Sequence, residues 1–190
     1  MDKPYIENKL FEKTDFTLQS LTKGEYENCK FISCNFSNSD LSQRNFTNCE
    51  FNGCNLSMAK LNKTVISNVV FKDCKLLGLV FENCNEFLFS LTIENCSLNI
   101  SSFYKLNLKK TIFKNSNLQE VDFTDSNLTS AIFDHCDLMR TTFRNTILEK
   151  ADLRTAYNYS IDPEINRIKK AKFSANGIAG LLDKYDIDIS

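Results

Sequence analysis

Residues 113–153, written in fives, read FKNSN LQEVD FTDSN LTSAI FDHCD LMRTT FRNTI LEKAD L. Every group opens on a large apolar residue, from Phe113 through Leu118, Phe123, Leu128, Phe133, Leu138, Phe143 and Leu148 to Leu153. Two positions before each lies something small or β-branched: Thr111, Ser116, Val121, Ser126, Ala131, Cys136, Thr141, Thr146 and Ala151. A period of five matches neither the 3.6-residue turn of a helix nor the two-residue alternation of a flat strand. It describes a backbone that turns a corner every five residues and returns to the same facing, and internal repetition of this kind outranks residue propensity. The pattern dictates a solenoid.

Outward from this stretch the register extends in both directions. It begins near Phe11 and runs through Phe16, Leu21, Tyr26, Phe31, Phe36, Leu41, Phe46, Phe51, Leu56, Leu61, Ile66, Phe71 and Leu76 to Phe81. Position 86, where the next large residue is due, is a glutamate, and the pattern resumes two residues late, at Leu88, passing through Ile93, Leu98, Phe103 and Leu108. Residues 84–87 are therefore expected to form a two-residue insertion, a bulge or short loop at one corner. The two registers together carry 29 large centres.

Extended backbone alternates its faces, so each centre and the small residue two before it both point inward. One large and one small inward residue per side fill a narrow square tube, and four sides close one coil of twenty residues. The fold class expected is all-β: a quadrilateral parallel β-helix of about seven coils, roughly 35 Å long at an inter-strand spacing of about 4.8 Å. Its stability is a sum of coil-on-coil interfaces, and open ends need caps. Three residues before each centre lies the corner slot, which collects Asn28, Asn38, Asn48, Asn68, Asp73, Asn95, Asn115, Asp125 and Asn145, with Ser33, Gly53 and Gly78. These residue types tolerate left-handed backbone. Arg44, in a small inward slot, has to escape to solvent or find a partner.

Composition limits the function classes. Net charge is −1, which provides no electrostatic footprint for nucleic acid or anionic membrane. Met1 to Leu10 is too polar for a signal peptide and no apolar run approaches membrane-spanning length, so a cytoplasmic protein is expected. The eight cysteines sit in the small inward slot, at multiples of five within each register and not at zinc-ligand spacing, and His135 is the single histidine. They read as buried packing residues, with no metal, no cofactor and no disulfide. His135 falls in a corner slot and is expected to be an exposed turn residue. No Gly-rich phosphate loop or nucleophile arrangement points to an enzyme.

Repeats such as Ser39-Asp40-Leu41-Ser42-Gln43, Ala59-Lys60-Leu61-Asn62-Lys63 and Ala151-Asp152-Leu153-Arg154-Thr155 resemble the A(D/N)Lxx motif of pentapeptide-repeat proteins, over about residues 11–156. The resemblance implies a right-handed quadrilateral β-helix. Within that family, Tyr26-Glu-Asn-Cys29-Lys-Phe31, the Asn-Phe-Ser triplet at 35–37, Asp40-Leu41-Ser42 and Phe46-Thr-Asn-Cys49-Glu-Phe51 resemble the opening of Qnr-type quinolone-resistance proteins, here without projecting loops. That likeness implies a non-enzymatic homodimer whose rod imitates duplex DNA, binds bacterial type II topoisomerase and protects it from fluoroquinolones. The alternative is a structural scaffold for an unknown protein partner.

The residues supply two candidate surfaces. Between Lys114 and Arg140 the chain holds Glu120, Asp122, Asp125, Asp134 and Asp137 without a lysine or arginine, a candidate anionic patch for a basic partner surface. Residues 157–190 leave the fives, although Ile168 and Phe173 fall back into phase for a last partial turn. Ser174 is a good N-cap for a short helix to about Lys184, with Ile178, Leu181, Leu182 and Tyr185 on one stripe. The tail Asp186-Ile187-Asp188-Ile189 alternates like a short strand. The segment is expected to cap the tube and, with Ile178, Leu181, Leu182, Tyr185, Ile187 and Ile189, to make the dimer contact.

Overall fold

The computed structural model describes residues 4–188. The chain winds as a four-sided parallel β-helix, and each side carries its own ladder. The first side stacks β1 (Tyr5–Glu7), β3 (Glu25–Glu27), β5 (Asn45–Thr47) and β7 (Val65–Ser67). It continues beyond the insertion as bridges joining Asn107, Asn127, Ile147 and Arg167. The second side stacks β2 (Leu10–Glu12), β4 (Lys30–Ile32), β6 (Glu50–Asn52), β8 (Val69–Lys72), β9 (Leu91–Glu94), β10 (Ile112–Lys114) and β11 (Ile132–Asp134), all parallel. Its ladder ends through Asp152 and Lys172, in the expected last partial turn. The third side joins Asp15, Asn35, Asn55, Lys75, Ser97, Asn117, Asp137 and Tyr157. The fourth carries the bridges Asp40–Lys60 and Val80–Ser102–Asp122–Thr142.

The register is set by the twenty-residue step, which lays like residue on like. Phe31 stands opposite Phe51 and Phe113 opposite Phe133. Rings then stack along the tube: Phe11–Phe31 at 4.7 Å, Phe31–Phe51 at 4.6 Å, Phe103–Phe123 at 5.2 Å and Phe113–Phe133 at 5.1 Å between centroids. Rings on adjoining sides meet edge to face, as Phe113 does with Phe103 and Phe123. Both geometries are favourable for aromatic quadrupoles, each adding about 0.5–1.5 kcal/mol beyond the area buried. With the leucine and isoleucine centres and the small inward residues, these rings form one hydrophobic core cluster.

The corners hold their backbone in the left-handed region at the expected phase. Asn28, Ser33, Asn38, Asn48, Asp73, Asn95, Asn115 and Asn145 have φ between 48 and 57°. The same conformation is imposed on Met58, Ile100, Lys105, Lys110 and Arg140, which lack the side-chain chemistry that favours it. Phase, not residue type, decides the corner. Ile100 is the strained case, being β-branched at φ 56°.

The small inward slot follows a rule that the composition did not reveal. Most of its polar hydrogens are donated to the carbonyl of a centre one coil below, while Ser116 and Cys136 donate to the carbonyl two residues back. Thr64 Oγ1 donates to Leu41 O at 2.9 Å, Thr141 Oγ1 to Leu118 O at 2.7 Å and Thr146 Oγ1 to Phe123 O at 2.9 Å. Thiols do the same, with Cys54 Sγ to Phe31 O at 3.2 Å and Cys74 Sγ to Phe51 O at 3.3 Å. Arg44 is buried and uses the same acceptor: its Nε donates to Leu21 O at 3.0 Å, Nη2 reaches that oxygen too, and Nη1 donates to Ser42 O at 3.1 Å. Among the described residues the buried Ser126 hydroxyl finds no partner. Thr146→Val should therefore cost about 1–3 kcal/mol, whereas Ser126→Ala should be neutral or stabilising. Urea unfolding of the two variants, at unchanged m-value, checks the difference.

Two expectations need correction. Leu88 is not a centre: it is exposed at a left-handed corner (φ 61°), and Phe89 packs against the core in its place. The chain keeps its twenty-residue step to Asn85, whose N–H donates to Thr64 O, and the step is longer from Ser90, whose N–H donates to Ile66 O. The two extra residues project as a short loop carrying exposed Phe87 and Leu88. At the C-terminus the single helix to Lys184 is replaced by two short 3-10 helices, Ile178–Leu181 and Asp183–Tyr185. Ser174 Oγ does accept Gly177 N–H, at 3.0 Å. The reason for the break is contact with the last coil: a Cβ on Gly180 would lie 2.1 Å from Tyr159 O, and Asp186 turns left-handed at φ 48°. Asp186, Ile187 and Asp188 form no strand, and Ile189 lies outside the described residues. The cap still closes the tube, with Gly180 O accepting Ile161 N–H at 2.8 Å and Leu181 packed on the core. At the opposite end the first coil leaves Ile6 and Phe11 only partly buried.

Candidate partner-binding surfaces

A void lined by Phe46, Phe51, Phe71 and Phe81 measures about 10 Å³, no more than one water. Among the described residues no group of His, Cys, Asp and Glu could hold a metal ion, and no helix is long and apolar enough to cross a membrane. All eight cysteines are free and buried. Burial pushes the Cys49 and Cys136 thiols up to about 12. Cys74 is held above the usual thiol range first by hydrogen bonds shared with Cys54 and Cys96, then by burial. His135 sits at an exposed corner, its Nδ1 2.7 Å from Asp134 Oδ1.

The candidate partner-binding residues lie on the outer surface. The twenty-residue step distributes the acidic run around the tube. Asp122 stands on the fourth side and Asp137 on the adjoining third side. Glu120 occupies the corner between them, and Asp125 the corner beyond Asp122. These four form a band across two sides. Asp134 does not join it: as the last residue of β11 it lies on the second side, opposite the fourth. Its carboxyl is held below the usual range by hydrogen bonds from Thr155 and then from His135. The band is also partly engaged within the chain. Glu120 pairs with Arg140 at 3.6 Å, and Asp137 accepts from Gln119 Nε2 at 2.7 Å and Asn158 Nδ2 at 2.9 Å.

The residues named for the dimer contact divide in the same way. Leu181 is turned inward, and Leu182 is half-buried. Ile178, Tyr185 and Ile187 are 50–55% exposed, so the cap presents three apolar side chains to solvent among the exposed Asp183, Lys184 and Asp186. Lys184 fixes the segment through Asp162 at 2.8 Å and Glu164 at 2.6 Å. A further apolar ridge was not foreseen. Met58, Leu77, Val80 and Ile100 are each about two-fifths to one-half exposed along the corner between the third and fourth sides. The left-handed φ of Met58, Gly78 and Ile100 traces that corner, reached by a step of twenty and then, across the insertion, of twenty-two.

Comparison with known proteins agrees with this architecture. No curated protein matches the chain. Among solved structures it is similar to full-length QnrB1, a plasmid-mediated fluoroquinolone resistance protein, at 17% identity over 97% of this chain and 100% of that one, with a TM-score of 0.62. It is also similar to HetL, a pentapeptide-repeat protein involved in heterocyst differentiation regulation in the cyanobacterium Nostoc, at 14% identity over 92% of this chain and 86% of that one, with a TM-score of 0.47. The pentapeptide repeat region profile matches residues 86–157 and the eight-copy pentapeptide repeats profile matches residues 29–68, together more than half of the chain. The five-residue period, the four stacked ladders and these two matches have one reading: the chain belongs to the pentapeptide-repeat family.

Proposed function

We propose that this protein is a non-enzymatic, cytoplasmic binder of bacterial type II topoisomerase, DNA gyrase or topoisomerase IV, that imitates DNA and relieves fluoroquinolone inhibition. The observation that carries the reading is the band formed by Glu120, Asp122, Asp125 and Asp137 on adjoining sides of the four-sided tube. Carboxylates spaced on a rigid rod offer a basic partner groove a phosphate-like target, and such complementarity acts mainly on encounter rate and specificity. The match to the QnrB1 fold along the whole chain supports the reading, as do the Qnr-like residues from Tyr26 to Phe51. The exposed Ile178, Tyr185 and Ile187 support a homodimer formed cap to cap.

A scaffold role for a different protein partner is the second reading. The apolar ridge of Met58, Leu77, Val80 and Ile100 favours it, because a DNA mimic has no use for such a surface. A supercoiling assay with purified gyrase and ciprofloxacin separates the two. Gyrase binding predicts that added protein restores supercoiling in the presence of drug. Replacing Glu120, Asp122 and Asp137 together by Lys should then raise the concentration needed about tenfold or more, the equivalent of about 1.4 kcal/mol. No restoration by the wild-type chain at any concentration leaves the scaffold.

A further inference from the structure

The first side of the tube carries a charge pattern that neither candidate surface uses. Counting coils from the projecting loop, Glu27 lies three coils towards the N-terminus, with Glu25 beside it and Glu7 four coils away. In the other direction Lys150 lies three coils away and Lys169 and Lys170 four, at the same side and its following corner. At about 4.8 Å per coil, both clusters stand roughly 14–19 Å from the loop. Between them the outward residues one and two coils from the loop are mostly neutral: Thr47 and Ser67 below, Thr129 and Ser130 above, with Lys109 and Lys110 the exception. The basic end is available for contact, because among the described residues Lys150, Lys169 and Lys170 form no ion pair within the chain. Glu149 is already neutralised by Arg167 at 2.6 Å. At the midpoint, Phe87 is 75% and Leu88 63% exposed, with exposed Glu86 at the edge of the loop.

Opposite charges at equal distances on either side of an apolar projection are what a two-fold contact requires. An isologous interface places the same surface on both partners, so each residue at a given distance above the axis meets one at that distance below it. A different partner would need no such equality. We propose that a second copy of this chain docks antiparallel on the first side, with Phe87 and Leu88 of both copies packed at the two-fold axis. Glu7, Glu25 and Glu27 of each copy then face Lys150, Lys169 and Lys170 of the other. The apolar centre excludes water and the charged rims fix direction and register. This contact is independent of topoisomerase binding and differs from the cap-to-cap contact, which is apolar and has little salt dependence.

Sedimentation velocity on the full chain tests it, in an Ile178→Asp, Ile187→Asp background that removes the cap-to-cap contact. The parent is expected to dimerise, with an affinity that falls as salt is raised. Replacing Lys150, Lys169 and Lys170 by Glu should abolish the dimer, and so should replacing Glu7, Glu25 and Glu27 by Lys. All six side chains point outward, so circular dichroism should be unchanged. An equimolar mixture of the two triple variants should restore a dimer, because one copy now presents acid and the other base at both rims. A monomeric parent, a dimer indifferent to salt, an undiminished dimer in either triple variant or no heterodimer in the mixture would overturn the proposal.

Discussion

Truncating Phe113 to alanine should lower the unfolding free energy by about 3–5 kcal/mol, the cost of removing a buried aromatic and leaving a cavity. Phe113 is fully buried and stacks on Phe133 at 5.1 Å, with Phe103 and Phe123 edge-on to its ring. Neighbouring coils cannot collapse into the space, because parallel backbone ladders hold them at fixed spacing. Phe87→Ala, in the projecting loop, should stay within about 0.5 kcal/mol of wild type when the protein is dilute. Guanidinium unfolding followed by circular dichroism gives both values. A loss below about 1 kcal/mol at Phe113 would contradict an aromatic column that bears the stability of the tube. A stack of coils also opens in parts more readily than a globular domain, so the Phe113 variant should broaden the transition as well as shift it.

The second large effect concerns the thiols. Only a thiolate attacks a disulfide reagent. With the Cys49 and Cys136 thiols pushed up to about 12, about one molecule in ten thousand carries either thiolate at pH 8. An unperturbed cysteine is roughly a quarter ionised there, so the pKa alone slows these two roughly a thousandfold, before access is considered. All eight cysteines are buried, so the native protein should titrate almost none of them with Ellman's reagent, and all eight once unfolded in guanidinium. The sign follows from burial, which disfavours the charged form and so raises a thiol. Fast labelling of several native thiols would mean that the tube opens far more often than its packing implies.

The architecture was legible because a five-residue period is a geometric statement that few folds can satisfy. The corner phase was legible too, through its Asn and Asp residues, although Met58, Ile100 and Lys110 prove that position imposes the conformation and the residue only eases it. The interruption after Phe81 was legible, but the inward residue expected at Leu88 is Phe89, one residue beyond the two-residue shift that spacing alone suggests. Arg44 could not be resolved from sequence, as its acceptor Leu21 O lies a full coil away. The C-terminal stripe satisfied helical spacing, yet the approach of Gly180 to Tyr159 outweighed it. Charge placement was the least legible. Residues close in sequence, such as Asp134 and Asp137, stand on different sides, while Glu7 and Glu27 share one. A net charge of −1 conceals a side that is acidic at one end and basic at the other.

The two ends of the tube are unequal, and that gives the molecule a direction. Glycine-mediated closure over Tyr159 seals the carboxyl end, while Ile6 and Phe11 stay half-covered at the other. Since each winding rests only on those beside it, thermal loosening starts from the amino terminus and advances as a front, one winding at a time. A proteolytic nick at that end shortens the rod without unravelling it, because every remaining winding except the newly exposed one keeps the support it had before.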